Sequence, residues 1–525
     1  MPATVVAAER TDGRDRLIAL ALGLAALAVY VRSLLPGVGY SGDAAKWQFL
    51  GEVGGTPHPT GYPLYLLVNR AWVTVVAVGD LAWRVNLLSA VCGAATVPVL
   101  YLLLRRLGPG RPAAAAAAAT FALGLTFWSQ AVVAEVYTLH LLLMTAVTLC
   151  LARWLGGASE RWLLAGLALF FLSFGHHLGT VLALPGVAWL LWRGRARLRP
   201  AVAAWAALFA VLAAAQYAYL LRMTAVGAYV EQPVHGLGDV VEMVTGGRFR
   251  RQMFTFGPTE LVRDRLPLLG RFLRRDLGVL AVPVAYGAVR VVRSGSDVAR
   301  AVTVHLGLLG GLAAVHALNF DVADVEVFFL PTVLVLAVLL AVGLDGLAGR
   351  MAARVDVGGQ GHRRDGDRPP PDERATPRRV ADRRAAVGRW AAAAGLALVP
   401  LVTGLVNYRD ASQRGNRADA ERIERAIAAA GTGAVLITDN YVDSEYFWYY
   451  LLGEGLGAER DLTLVHMVSP REVVAFFERG RGPMATVATA DTPVYTATPH
   501  QARQLADAGL AVTPVAEDVW RVAPP

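Results

Sequence analysis

The sequence predicts a multi-pass α-helical membrane protein with about eleven transmembrane helices and a small C-terminal α/β domain. Of its 525 residues, 55% are hydrophobic and only 17% are charged, and the mean hydropathy is +0.44. Apolar runs of about 20 residues, long enough to cross a bilayer, recur as far as residue 407. Beyond residue 416, short runs of strand type alternate with helical ones, which is typical of an α/β domain.

The charges are distributed as in a membrane protein. The net charge is +9, and the arginines cluster between the hydrophobic runs, as the positive-inside rule expects. This distribution argues against nucleic acid as a partner. Cys92 and Cys150 both lie inside apolar runs, so the sequence predicts neither a disulfide framework nor a Cys/His metal site.

The order of the spans follows from the loops between them. Residues 1–15 are polar and contain arginines, so they are predicted to lie in the cytoplasm, and the loop at 36–62 then lies outside. Residues 63–80 are apolar but interrupted by Asn69 and Arg70, and they predict an interfacial or re-entrant helix. Full spans are predicted at 16–35, 84–106, 113–127, 136–153, 162–177, 178–192, 200–221, 276–292, 301–318, 327–347 and 390–407.

These spans divide the chain into domains. Residues 16–347 are expected to form one membrane domain, and residues 348–389, rich in Arg, Asp, Pro and Gly, a disordered cytoplasmic linker. The last helix, 390–407, carries residues 408–525 to the outside as the α/β domain. Strands are predicted there at 434–438, 462–466 and 493–497, and helices at 470–479 and 499–508. This part has no glycine-rich nucleotide motif.

A second long polar segment, 222–273, is predicted to lie outside with amphipathic helices. It is basic although its side of the membrane is not the one that the positive-inside rule favours. We therefore expect it to bind something anionic; the alternative is that one span has been miscounted. Arg222, Arg248 and Arg251 are the candidate phosphate ligands, because a guanidinium grips phosphate with two hydrogen bonds.

Asp43 is the first candidate for chemistry. It follows the first span and precedes a short helical run, 44–50. Capping of that helix would by itself explain an aspartate at this position. The functional alternative is a general base, since the carboxylate lies where a membrane helix meets water and lipid-linked substrates would be presented.

Two further candidates follow Asp43. Lys46, the only lysine in the chain, lies three residues on and shares a helix face with Asp43, so it forms an intrahelical ion pair or helps to hold a phosphate. His58 lies between two prolines in a rigid segment that continues to Tyr62. These rings are either an aromatic anchor at the membrane surface or a contact to the phosphate of a donor.

Other polar residues occur at the outer ends of spans. Glu135 is expected at membrane depth, where an acidic residue is expensive and suggests function, so it is a candidate second catalytic carboxylate. His176 and His177 are expected to satisfy backbone groups at a helix turn. Asp321, Asp324 and Glu326 lie in an outer loop and allow two ligands for a cation, fewer than hard-cation sites usually have, so no metal ligands are predicted and a divalent cation stays only possible.

Four segments together resemble a family of membrane proteins in the GT-C glycosyltransferase superfamily, related to protein O-mannosyltransferases and long known only as a domain of unknown function. The resemblance covers roughly residues 16–340, and Thr60 departs from the proline that the family usually has. After the aspartate of the first outer loop, the segments are His58-Pro59-Thr60-Gly61-Tyr62-Pro63-Leu64-Tyr65, Arg84-Val85-Asn86-Leu87-Leu88-Ser89-Ala90, Trp128-Ser129-Gln130 with Glu135-Val136-Tyr137, and Asp324-Val325-Glu326-Val327-Phe328-Phe329-Leu330-Pro331.

The resemblance implies an inverting, GT-C-like glycosyltransferase that takes its sugar from a polyprenyl-phosphate carrier, with Asp43 as the base. The acceptor is expected to be a protein or a glycan on the extracytoplasmic side of the cell membrane, and the C-terminal domain is expected to contact it. The expected substrate-binding residues are Lys46, His58, Tyr62, Arg84, Arg222, Arg248 and Arg251. A transporter or flippase of lipid-linked sugars is the alternative, and a non-catalytic scaffold is a third.

Overall fold

The structure is a computed structural model that describes residues 12–39, 42–357, 375–489 and 491–524. It consists of a large helical membrane domain and a C-terminal domain built on a five-stranded sheet. The expected N-terminal segment, 1–15, is described only from residue 12.

The first half of the membrane domain is built around α4 (Leu81–Leu107), which packs against α1 (Gly13–Ser33), α5 (Arg111–Ala122) and α7 (Tyr137–Leu155). Asp12 begins α1 by accepting a hydrogen bond from the Asp15 N–H at 3.0 Å, and Asp80 begins α4 in the same way with Trp83 at 2.7 Å. The helices are α1 (Gly13–Ser33), α2 (Ala44–Val53), α3 (Pro63–Val75), α4 (Leu81–Leu107), α5 (Arg111–Ala122), α6 (Leu125–Ala131), α7 (Tyr137–Leu155), α8 (Glu160–Leu172), α9 (Leu184–Arg193), α10 (Ala201–Ala215) and α11 (Ala218–Val226).

The second half packs around α17 (Leu330–Val357), which contacts α5, α15 (Ala281–Ser294), α16 (Asp297–Leu318) and α18 (Ala375–Ala411). Its helices are α12 (Leu237–Val244), α13 (Pro258–Glu260), α14 (Leu266–Leu277), α15 (Ala281–Ser294), α16 (Asp297–Leu318), α17 (Leu330–Val357) and α18 (Ala375–Ala411). Helical structure therefore reaches into both ends of the expected disordered linker, 348–389, and the middle of that linker, 358–374, lies outside the described residues.

Eight helices in the described ranges are long and apolar enough to cross a membrane, and α5 with α6, bent by 62°, makes a ninth candidate. The spans predicted at 162–177 and 178–192 are shorter: α8 has 13 residues, and a 3₁₀ turn joined to α9 gives Leu178–Arg193. The prediction of about eleven spans is reached only when these two are counted.

One predicted boundary lies far from the observed one. The span expected at 276–292 belongs to a longer helical run, Pro258–Ser294, so the polar segment 222–273 ends in helix. Arg265 in this run donates to the carbonyl oxygens of Ala317 at 2.9 Å and Phe320 at 2.8 Å, at the end of α16. This arginine therefore satisfies backbone groups that a helix end leaves unpaired.

The two long polar segments of the membrane domain, 36–62 and 222–273, are joined by a short parallel pair, β1 (Gly55–Thr56) with β2 (Tyr229–Val230). The Glu231 N–H donates to the Thr56 carbonyl at 2.9 Å. A Cβ on Gly55 would lie 1.8 Å from the Tyr229 carbonyl oxygen, so only glycine permits this approach. The pairing brings the second loop against α2.

The C-terminal domain has the predicted strand–helix alternation. The elements are α19 (Ala418–Ala430), β3 (Ala434–Thr438), α20 (Tyr441–Trp448), α21 (Leu456–Arg460), β4 (Leu462–His466), α22 (Pro470–Arg479), β5 (Val494–Thr496), α23 (Pro499–Asp507), β6 (Ala511–Ala516) and β7 (Val519–Ala523). The sheet has the order β4-β3-β5-β7-β6, in which β3 is parallel to β4 and β5, and β7 is antiparallel to its neighbours.

Candidate active site

Helix α2 holds the candidate site, and both domains enclose it. Its residues 44–51 are all buried, which is unusual for a ten-residue helix outside the spans. Asn69 of α3 donates to the Trp47 carbonyl at 2.8 Å, and Gln48 donates to Asn86 of α4 at 2.8 Å. The Trp47 ring meets those of His58, Tyr62 and Tyr65 edge-on, at 5.8, 5.0 and 5.3 Å between centroids. The sequence around Asp43 is thus packed into a fixed frame.

The Asp43 side chain makes two polar contacts and does not cap α2. One carboxylate oxygen lies 2.6 Å from His58 Nε2, and the other lies 3.0 Å from Lys46 Nζ. The carboxylate is about 31% exposed and lines a cavity. The capping explanation that the sequence allowed is therefore not the one the structure has.

The charge of Asp43 follows from these neighbours. Burial alone would raise the pKa of its carboxyl group, but His58 and Lys46 outweigh burial and hold the pKa well below its usual range. Asp43 is therefore an ionised carboxylate at physiological pH.

His58 is placed by its flanking prolines and buried to 5% exposure. Its Nδ1 lies 2.6 Å from the Pro59 carbonyl oxygen, while its Nε2 faces Asp43. The ring also contacts Tyr62 and Phe249 edge-on, at 5.4 and 5.3 Å between centroids. Both nitrogens thus have oxygen partners within the protein.

Lys46 is completely buried and lies among three carboxylates. Its Nζ lies 3.0 Å from Asp43, 2.8 Å from Glu231 and 3.2 Å from Glu445, and it also donates to the Tyr441 hydroxyl. The intrahelical pair with Asp43 that the spacing suggested is present. A buried ammonium needs such compensation, because removing it from water is expensive.

The cavity beside Asp43 has a volume of about 240 Å³. Asp43, His58 and Tyr62 form one wall, and the rest of the lining comes from the start of α7, the turn at 177–182, the loop at 246–253, the end of α16 and the segment from Asp324. Most of its lining is apolar or aromatic. Besides Asp43, His58 and Tyr62, its polar or aromatic lining residues include Tyr137, His140, His177, His316, Asp324 and Phe328.

Glu135 lies behind the turn that carries Asp43. It is 7% exposed, its backbone N–H and C=O both bond the Ser89 hydroxyl, and a Cβ on Gly42 would lie 3.5 Å from its Oε1. Burial, together with the negative charges of Asp43 and Asp324, raises the pKa of Glu135 well above its usual value. The pKa values of these two carboxyl groups are therefore shifted in opposite directions.

The predicted arginine ligands lie around the site rather than in it. Arg248 pairs with Glu231 at 2.5 Å, next to the cavity-lining Phe249, and Arg84 donates from Nε to the Gly79 carbonyl at 3.0 Å. Arg222 and Arg251 are exposed. Of the predicted site residues in the described part of the chain, Asp43, His58 and Tyr62 line the cavity.

Three of the four partners of Lys46 were missed by sequence reasoning: Glu231, Tyr441 and Glu445. They lie about 190 to 400 positions from Lys46, and no local pattern marks Glu231 as a partner of that lysine. A signal for the other two exists, since the run from Tyr441 to Tyr450 is dense in aromatic residues for the surface of a small domain. Such a run indicates a docking surface.

The described residues include no group of three or more His, Cys, Asp or Glu side chains placed to hold a metal ion. Of the acids considered for a cation, Asp324 lines the cavity, whereas Glu326 pairs with Arg275 at 2.5 Å.

Comparison with known proteins supports the resemblance seen in the sequence. Residues 52–199 match the model of the family described as Protein O-mannosyl-transferase TMEM260 N-terminal domain. The mouse protein named Protein O-mannosyl-transferase TMEM260 is 28% identical over 164 residues, which are 30% of this chain and 23% of the mouse protein. The chain thus matches about a quarter of the length of that relative.

The fold is that of a solved membrane protein. A crystal structure titled ArnT from Cupriavidus metallidurans bound to undecaprenyl phosphate aligns with 96% of this chain and 99% of its own, at a TM-score of 0.58 and 15% identity. The apo state of the same protein aligns at a TM-score of 0.56 with the same identity and coverage. The predicted architecture, a multi-pass α-helical membrane protein with a small C-terminal α/β domain, is confirmed.

Proposed function

We propose that this chain is a GT-C-type membrane glycosyltransferase that transfers a sugar from a polyprenyl-phosphate carrier to a protein or glycan acceptor. The observation that carries the proposal is an ionised Asp43 at the wall of a largely apolar cavity bounded by membrane helices. Two names support it: the mouse relative is called an O-mannosyl-transferase, and the ArnT structure contains undecaprenyl phosphate.

Asp43 acts as the general base in this proposal. The acceptor oxygen attacks the anomeric carbon of the sugar, its proton passes to Asp43, and the bond from that carbon to the phosphate oxygen breaks, with inversion. Polyprenyl phosphate leaves with the bonding electron pair. Because the pKa of Asp43 is low, the proton moves only once the acceptor oxygen has become acidic through bond formation.

The departing phosphate gains negative charge as its bond to the sugar breaks. Stabilising this negative charge with nearby positive groups is the larger part of catalysis. His58 is in the cavity wall, and Arg248 and Arg251 lie on the loop that also supplies Phe249 to the lining. We propose that these groups face the phosphate, with Tyr62 against the sugar and Arg84 and Arg222 contributing at longer range.

Lys46 has a different role in this proposal from the phosphate contact that the sequence suggested. It is completely buried, and its ammonium is surrounded by carboxylates and a hydroxyl. We propose that Lys46 fixes the position and charge of Asp43. Glu135, protonated behind the same turn, keeps a second negative charge away from the reacting centre.

The orientation predicted from the arginine pattern completes the proposal. In this orientation the N-terminus and the linker at 348–389 are cytoplasmic. The membrane domain, 16–347, then has its site on the outside, and the last helix, 390–407, carries the C-terminal domain, 408–525, to the same side. The acceptor then approaches from the extracytoplasmic side.

The test is sugar transfer by the purified full chain supplied with a radiolabelled polyprenyl-phosphate sugar and an acceptor mixture. We expect labelled product of inverted anomeric configuration and release of polyprenyl phosphate. Asp43→Asn keeps the shape of the side chain and removes the base, so the rate should fall about 10²- to 10⁴-fold with the protein still folded.

Asp321→Asn is the matched control, because Asp321 is exposed and lies outside the cavity lining. Its rate should equal that of the wild type. Full turnover by Asp43→Asn would refute the assignment of the base. Movement of the intact lipid-linked sugar across vesicles without product would favour a flippase, and neither activity would favour a scaffold.

A further inference from the structure

The carboxyl ends of the parallel strands in the C-terminal sheet face the membrane domain. The chain leaves β3 for β4 on one side and later enters β5 on the other side. In open α/β sheets, ligands bind outside the carboxyl ends of the strands at such a reversal. Here α20, which follows the carboxyl end of β3, packs against α2. The strand ends where a ligand usually binds thus lie against the candidate active site.

Polar side chains make that edge rigid. Asp443 accepts hydrogen bonds from Asn440 at 3.0 Å and from Thr498, beyond β5, at 3.0 Å, and it pairs with Arg422 of α19 at 2.5 Å. These bonds join the ends of β3 and β5 to the first turn of α20. Tyr441 and Glu445 therefore project from a fixed helix.

The two domains approach closely along this helix and the turn after it. A Cβ on Gly453 would lie 2.8 Å from the Phe49 Cβ of α2. The Tyr449 hydroxyl accepts the Ala82 N–H at 3.2 Å, at the start of α4. These two contacts thus hold the C-terminal domain in one position against α2.

In that position the C-terminal domain supplies two partners of Lys46. Glu445 is 1% exposed and lies 3.2 Å from Nζ, and the Tyr441 hydroxyl bonds Nζ and donates to Glu231 at 3.2 Å. An ammonium has three protons, so each partner limits where it can point. Two groups of the C-terminal domain therefore help to decide how Lys46 meets Asp43.

We propose that Tyr441 and Glu445 are positioning residues for Asp43, acting through Lys46, and that the C-terminal domain is thereby part of the transfer site. This inference rests on the proposed function. The domain sets the geometry of the base in addition to any contact that it makes with the acceptor. Neither residue lines the cavity in the described structure, so neither is expected to touch the donor.

The test compares kcat and KM for the lipid-linked sugar in the purified full chain. Glu445→Gln and Tyr441→Phe keep the size of each side chain and remove its contact to Lys46. Each should lower kcat about tenfold or more while the donor KM changes less than about twofold, because a misplaced base slows chemistry without weakening binding. The double variant should lose less than the product of the single effects, since both act on one lysine.

Glu454→Gln is the matched control at the same domain contact. Its carboxylate accepts from Tyr449 at 2.6 Å and is not among the partners of Lys46, so its kcat should equal that of the wild type. Wild-type kcat in both Glu445→Gln and Tyr441→Phe, or a change confined to KM, overturns the inference. If Glu445→Gln does not fold, Tyr441→Phe decides alone. A wild-type chain that transfers no sugar refutes the proposed function instead.

Discussion

Two buried ion clusters lie at opposite ends of α1 and differ in how their charges balance. At the N-terminal end, Asp15 is 1% exposed and accepts from Tyr101 at 2.9 Å and from Arg105 and Arg111 at 3.0 Å each. Arg111 also pairs with Asp12 at 2.7 Å. Beyond the C-terminal end, the single ammonium of Lys46 serves Asp43, Glu231 and Glu445.

The difference shows which cluster serves structure and which serves chemistry. Around Asp15, two arginines and a hydroxyl converge on one carboxylate, which ties α1 to α4 and α5 and leaves little to react. Around Lys46, three carboxylates share one ammonium, although Glu231 also pairs with Arg248, and Asp43 faces a cavity. Several buried carboxylates that share one cation beside a cavity are typical of a functional site.

The comparison predicts that Lys46 has the larger effect on stability. Lys46→Met leaves three carboxylates without their shared cation and should lower the free energy of unfolding by about 3–5 kcal/mol. Arg111→Met should cost clearly less, because Arg105 and Tyr101 still bind Asp15 and Arg111 is about 36% exposed. Denaturant titration in detergent measures both, and equal losses would contradict the comparison.

Asp15→Asn tests the structural cluster. The variant weakens charge-assisted hydrogen bonds to two arginines, so the free energy of unfolding should fall by about 2–3 kcal/mol. The transfer rate per folded molecule should stay unchanged, in contrast to Asp43→Asn. Denaturation in detergent and the transfer assay together measure this, and a fall in rate at unchanged stability would show that the two clusters do not divide as proposed.

Glu135→Gln sharpens the comparison through pH. The pKa of Glu135 is raised in the folded state from an ordinary value of 4.5, so its contribution to stability is complete below that value and is lost as the pH rises through the higher one. Glutamine does not titrate. The melting temperature of the variant minus that of the wild type should therefore increase as the pH is raised from about 5 to about 8. A constant difference would mean that Glu135 does not take up its proton on folding.

Arg248→Gln should give the smallest effect. Arg248 is about 55% exposed, and its partner Glu231, 9% exposed, keeps its contact with Lys46, so the loss of this ion pair should cost little stability. If Arg248 faces the phosphate, the donor KM should rise about two- to fivefold at low salt and less at high salt. Arg250→Gln, on the same turn but bonded to Thr245, is the control. An equal rise for both would show that only the net charge of the loop matters.

Local signals made the membrane domain predictable from the sequence. Apolar runs place most of the observed spans, and the strand predictions at 434–438 and 462–466 coincide with β3 and β4. The errors lie where packing overrides the local pattern. The sequence predicts amphipathic helices within 222–273 and a separate span from residue 276, yet Pro258–Ser294 forms one helical run in which Arg265 binds the end of α16. The bend of 62° between α5 and α6 likewise has no marker in their apolar pattern.

The sequence by itself determined the class of protein, the position of Asp43 after the first span and the pairing of Asp43 with Lys46, because these depend on hydropathy and on helical spacing. Only the tertiary structure decided that His58 holds the other carboxylate oxygen and that Glu231, Tyr441 and Glu445 surround Lys46. These partners come from loops and a domain far apart in the chain. Their meeting depends on how β1 pairs with β2 and how α20 packs on α2, which no local pattern specifies.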